Sequence, residues 1–172
     1  PTPSSPPGPA RGPIARGCVV ALPRNAGASP DIFLAASTSE AYGWLFKLLA
    51  DPGDSVLVPK PGYPLFEYLS GLEGVEAVPY PLEYRHPAGW SADLDSLEAA
   101  LKSRRPKAVI LIHPNNPTGS FVGRRERRRI LDLCGEAGTA VIADEVFLPY
   151  PLEDPAEPSF ARETEVPCFV LN

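Results

Sequence analysis

Residues 108–147 read AVILIHPNNPTGSFVGRRERRRILDLCGEAGTAVIADEVF. Ala108–Ile112 is a continuous apolar run of the kind a strand carries when both its faces are covered. Ala140–Ala143 repeats that character and ends at Asp144-Glu145. Between them, Arg124–Gly135 sets Ile130, Leu131 and Leu133 or Cys134 at helical spacing. A buried strand, a helix and a second buried strand make a β-α-β unit, which demands a parallel pair.

Outward from this stretch the alternation continues. Toward the N-terminus, a helix over Leu94–Lys102 with Leu94, Leu97, Ala100 and Leu101 on one side can be capped by Ser91 or Asp93. Val75–Val78 and Ser55–Val58 read as strands, with a short helix beginning at Phe66–Leu69 between them. Ala41, Trp44, Leu45, Leu48 and Leu49 recur at three- and four-residue spacing, and Asp51-Pro52-Gly53-Asp54 ends that helix. Ile32–Leu34 is a further short apolar run, and Cys168–Leu171 is the strand after Asp144. The predicted fold is therefore α/β, a mainly parallel sheet flanked by helices, carried by residues 31–172. Residues 1–30 are rich in Pro, Gly, Ser and Arg, and hold eight of the 23 prolines. Proline fixes φ and removes a donor, so this segment is expected to be irregular apart from the apolar run Cys18–Leu22.

The 172 residues carry a formal charge of −5, which argues against a nucleic-acid or anionic-membrane surface. The basic run Arg124–Arg129 is read as a solvated helix face. No apolar stretch approaches the ~18 residues of a membrane span, and no signal-peptide pattern opens the chain. Cys18, Cys134 and Cys168 form no CxxC pair, which suits reduced thiols in a cytoplasmic protein. His86 and His113 lack the company a metal needs, and no Ser/His/Asp pattern, GxGxxG or GxxxxGK is present. There is no methionine and the first residue is Pro1, as in a processed chain or a fragment.

In a parallel sheet, ligands gather beyond the carboxyl ends of the strands. Three of these ends carry polar residues. Ser37-Thr38-Ser39 opens a helix, where free amides and small hydroxyls suit a phosphate or simply cap the helix. His113-Pro114-Asn115-Asn116-Pro117-Thr118-Gly119 makes a rigid turn that either aims an amide above the sheet or closes on itself as an Asx-turn. Asp144 ends a buried strand, where a carboxylate calls for a cation: an arginine, or a protonated heterocyclic nitrogen. At ~4 Å and an effective dielectric near 20, such a pair is worth about 4 kcal/mol. A helix cap is the other reading of Asp144.

The turn NNPTG, the strand end ADEVF 28 residues on (144 − 116) and the succession STSEA, DPGD, PGYP resemble the pyridoxal-phosphate (PLP) enzymes of the aspartate aminotransferase superfamily, fold type I, class I/II. The resemblance runs over residues 31–172, roughly the middle of that family's large domain. It implies PLP as cofactor, amino-group transfer between an amino acid and a 2-oxo acid, and a homodimer. It also implies roles: Asn116 on the cofactor's O3′, Asp144 on the pyridine nitrogen, Ser37, Thr38 and Ser39 on the 5′-phosphate, and Tyr63 stacked on the ring. A half-buried loop aromatic is the alternative for Tyr63.

Two departures accompany the resemblance. Phe147 stands where many relatives place a tyrosine that also bonds O3′, and Tyr150 lies too far along to replace it. The Schiff-base lysine falls near or just past Asn172; Lys47, Lys60, Lys102 and Lys107 all precede Asp144 and none matches its position. The chain is thus expected to be part of a longer transaminase-like protein, or a catalytically inactive fragment of one. A PLP-dependent decarboxylase or lyase is the runner-up, because the same cradle serves those reactions.

Overall fold

The computed structural model describes residues 18–22, 31–150 and 159–172. Its strands are β1 (Cys18–Leu22), β2 (Asp31–Ala35), β3 (Ser55–Lys60), β4 (Glu76–Arg85), β5 (Gly89–Ala92), β6 (Ala108–Ile112), β7 (Ala140–Asp144) and β8 (Cys168–Leu171). Its helices are α1 (Thr38–Leu49), α2 (Phe66–Leu72), α3 (Leu94–Arg104) and α4 (Arg124–Ala137), with a 3₁₀ turn at Phe160–Arg162. The strands form one sheet in the order β2-β1-β8-β7-β6-β3-β4-β5. β8, β7, β6, β3 and β4 run parallel, β1 is antiparallel to both β2 and β8, and β5 is antiparallel to β4. The Cys18–Leu22 run of the proline-rich segment is thus a strand inside the sheet, while residues 1–17 and 23–30 lie outside the described residues.

Successive residues of the buried strands face opposite layers. Ile110, Ile112 and Ile142 pack with Ala41, Tyr42, Leu45, Phe46 and Phe66 of α1 and α2. Val109, Leu111, Val141 and Ala143 pack with Leu97, Leu101, Ile130, Leu131 and Cys134 of α3 and α4. Each such aliphatic side chain removed from water stabilises by about 1.5–3 kcal/mol, and the three-layer sandwich is the arrangement that covers both faces.

Three expectations need correction. The buried stripe of α1 is Ala41, Tyr42, Leu45 and Phe46; Trp44 is 44% exposed and Leu48 66%. The helix is rotated so that Tyr42 and Phe46 join Leu45 over β3 and β6, while Trp44 and Leu48 face outward. The strand read as ending at Val78 continues to Arg85, through Pro79 and Pro81. The Pro81 carbonyl accepts from the Asp93 amide on the side away from β3, so the donors these prolines lack would not have met β3. The arginine run is not wholly a solvated face. Arg127 is 7% exposed, its guanidinium 3.8 Å above the Phe160 ring and bonded to the Ser159 carbonyl and Glu163, each at 2.7 Å.

Candidate functional site

β3 and β6 are neighbours, but the chain leaves β3 toward α2 on one face and leaves β6 toward α4 on the other. A crevice opens at such a divergence, at the carboxyl edge of the sheet. β2 runs the same way as the parallel strands, because two antiparallel pairings separate it from β8. The start of α1 therefore reaches the same edge. The sequence-predicted site residues all lie along that edge.

Asp144 closes β7 and turns toward α1 and α2. It is 7% exposed. Its Oδ2 accepts from the Tyr42 hydroxyl at 3.0 Å and its Oδ1 from the Val146 amide at 3.2 Å. Burial raises its proton affinity above the ordinary carboxylate range, and the Val146 and Tyr42 hydrogen bonds offset this only in part. No lysine or arginine among the described residues pairs with it, so the arginine reading is not what the fold adopts.

The turn after β6 is anchored beside Asp144, since the His113 amide donates to the Asp144 carbonyl at 2.8 Å. Within the turn the two asparagines divide the work. Asn115 is buried, and its amide donates to the Pro61 carbonyl at 3.2 Å and to Thr118 Oγ1 at 2.9 Å. The first of these bonds ties the β6 turn to the β3 loop across the crevice. Asn116 is half-buried, and its amide makes no hydrogen bond among the described residues. It remains available to a ligand.

Ser37 is the N-cap of α1, accepting from the Glu40 amide at 3.2 Å, and Glu40 returns to the Ala36 amide at 2.6 Å. The capping reading is thus realised for Ser37. Thr38 and Ser39 stand half-buried in the first turn with hydroxyls unengaged among the described residues. Tyr63 is half-buried, edge-on to Phe66 at 5.8 Å between ring centroids, and Phe66 is edge-on to Tyr42 at 5.2 Å. Tyr63, Phe66, Tyr42 and Asp144 therefore form one contiguous cluster.

The profile of the family "Aminotransferase class I and II" matches residues 26–166. This chain belongs to the class I and II aminotransferases. It is similar to nicotianamine aminotransferase 1 of Oryza sativa subsp. japonica, at 34% identity over 119 residues, which are 69% of this chain and 24% of that protein. It is similar to the alanine aminotransferase of Mycobacterium tuberculosis (strain H37Rv), at 32% identity over 143 residues, 83% of this chain and 33% of that one. Among solved structures, alanine aminotransferase from Pyrococcus furiosus superposes with a TM-score of 0.69 at 32% identity, covering 77% of this chain and 33% of its own. A PLP-bound C-S lyase from Staphylococcus hominis, at 20% identity, shares the fold with a TM-score of 0.70 over 77% of this chain and 35% of its own. The chain thus spans about a quarter to a third of the curated relatives named.

The lysines of this aminotransferase chain are dispersed. Lys47 pairs with Glu73, Lys102 with Glu98 and Lys107 with Asp54, and Lys60 is exposed at the end of β3. Sequence reasoning missed two residues that shape the site, Tyr42 and Asn115. A signal existed for Tyr42: a phenol on the buried face of a helix needs an acceptor, and Asp144 is a polar group on the layer that helix covers.

Proposed function

We propose that this chain supplies the cofactor-binding part of a PLP-dependent aminotransferase, a protein that moves an amino group between an amino acid and a 2-oxo acid. One observation carries the reading: among the described residues, the buried carboxylate of Asp144 is held only by neutral donors, at the carboxyl edge of the sheet. Such a group is stabilised by a cationic N–H, and the protonated pyridine nitrogen of PLP is one. When bound, PLP supplies the electron sink that stabilises negative charge at the α-carbon of the amino acid.

The chain's own residues supply the rest. Asp144 keeps the proton on the pyridine nitrogen. Asn116, free of the turn's own bonds, donates to O3′. Thr38 and Ser39, with the first-turn amides of α1, hold the phosphate, and Ser37 shapes that turn as its cap. Tyr63 covers one ring face and keeps water from it. The Schiff-base lysine is assigned to the longer protein, beyond residue 172. The aminotransferase relatives favour amino transfer over the decarboxylase or lyase alternative. A homodimer follows from the resemblance and is supported by the exposed apolar residues Ile32, Phe33 and Leu34 of β2 with Trp44 and Leu48 of α1. A cytoplasmic setting is supported by the free, buried Cys134 and Cys168; burial pushes the Cys134 thiol up to about 12. No helix among the described residues is long and apolar enough to cross a membrane.

Titrating PLP into the chain, with absorbance and cofactor fluorescence as readouts, tests the reading. Binding is expected to be non-covalent and to be lost in Asp144→Ala. Equal affinity in that variant would remove Asp144 from the site. In the longer protein, an amino acid with 2-oxoglutarate is expected to yield glutamate, whereas release of carbon dioxide or ammonia would favour the runner-up.

A further inference from the structure

We propose that Tyr42 is a positioning residue for the cofactor: its hydroxyl fixes the Asp144 carboxylate in the plane and charge state that the pyridine nitrogen requires. The inference rests on the PLP reading of the crevice and deepens it.

The two oxygens of the Asp144 carboxylate offer about four lone-pair directions. The Val146 amide, two residues on, takes one on Oδ1, a local bond that leaves rotation about χ2 soft. Tyr42 takes one on the other oxygen, Oδ2, from a helix 102 positions earlier in the chain. Two donors on two oxygens define the plane and leave the remaining lone pairs for a ligand.

The donor itself is held still. Tyr42 is fully buried, edge-on to Phe66 at 5.2 Å with an interplanar angle of 82°, and 5.8 Å from Phe46. A phenol in that setting cannot swing away without opening the layer between α1 and the sheet. Its chemistry is also selective. A neutral O–H stabilises the ionised carboxylate by hydrogen bonding, yet brings no charge to compete with a pyridinium. An arginine or lysine at residue 42 would form the ion pair by itself and leave the cofactor nothing to neutralise.

The third element is placement. Tyr42 lies one helical turn from Thr38, in the helix whose first turn carries the proposed phosphate contacts. One rigid element therefore addresses both ends of the ligand: the phosphate through its N-terminus, the ring nitrogen through Tyr42 and Asp144.

The experiment uses the chain with PLP labelled with ¹⁵N in the ring, and compares wild type, Tyr42→Phe, Asp144→Asn and the double variant. In Tyr42→Phe, affinity is expected to fall about tenfold, the scale of one hydrogen bond to a charged group. The ring-nitrogen resonance should move toward that of neutral pyridine. The double variant should bind no more weakly than Asp144→Asn, because Tyr42 acts only through that carboxylate. In wild type, the ¹³Cζ resonance of Tyr42 should shift on saturation with PLP, a readout that does not depend on any variant folding. Wild-type affinity and resonance in Tyr42→Phe, fully additive losses, or an unmoved Tyr42 resonance would overturn the positioning role and leave the PLP reading standing. Failure of wild type to bind PLP, or an Asp144→Asn resonance like wild type, would overturn that reading and this inference with it.

Discussion

Asp144 and Glu145 stand side by side at the end of β7 and point to opposite layers. Asp144 meets Tyr42 of α1, while Glu145 accepts from the Phe160 amide at 2.6 Å on the α4 side. Burial raises the proton affinity of both, so folding shifts each toward protonation relative to the unfolded chain. The sign for stability follows. A carboxyl whose folded pKa is raised contributes stability that is complete below its unfolded value of about 3.9, and that stability is lost as pH rises through the folded value. Asn is neutral at every pH, and its amide can accept from Val146 while donating to the Tyr42 oxygen. Asp144→Asn is therefore expected to stabilise the cofactor-free chain by ~1 kcal/mol at pH 7.5 in urea unfolding, with the two curves converging near pH 4. A less stable variant at pH 7.5 would contradict the desolvation argument. Asp144 and Asn116 were legible in the sequence because each follows a buried apolar strand at a fixed place. Tyr42 was not, since its partner is 102 residues away and the apolar spacing points to the stripe of Trp44 and Leu48 instead.

The elements were legible where apolar spacing was strong and obscured where polar residues did structural work. β6 and β7 follow directly from AVILI and AVIAD. The sequence reading of β4 stops at Val78, before Pro79 and Pro81, and only the pairing geometry shows that the donors those prolines lack lie on the side away from β3. In α4, five arginines look alike in sequence, but the 3.6-residue period places Arg127 on the inward side with Ile130, Leu131 and Cys134. There it joins α4 to the segment after β7, stacked on Phe160 and bonded to the Ser159 carbonyl and Glu163. Arg127→Met should cost about 2–4 kcal/mol, because it strips a half-buried carbonyl of its donor and removes the buried cation facing Glu145 and Glu163. Arg128→Met, on the exposed side, should stay within ~0.5 kcal/mol. Urea midpoints for the pair decide it: equal effects would mean that Arg127 is as solvated as its neighbours.

At the scale of the molecule, the alternation of strands and helices announced a layered α/β sandwich, and the sandwich is there. The order of strands was not readable, because β1 comes from the proline-rich segment and lodges between β2 and β8. Among the described strands, β2 touches the sheet only through β1. Val20→Pro, at a residue facing both Phe33 and Leu171, is expected to cost about 2–4 kcal/mol. Hydrogen exchange should quicken in β2 and β8 and stay slow in β6; uniform acceleration would show that β1 is not a separate fastening. This placement also has a consequence in time. Val20 meets Leu171 across 151 positions (171 − 20), so among the described strands the earliest in the chain is locked by the latest. Closing so long a loop is entropically late, and synthesis must pass β8 before β1 has its second neighbour. On the ribosome, β3, β6 and β7 can assemble while the start of α1 still waits for its footing, and the ligand crevice takes shape only once β8 has emerged.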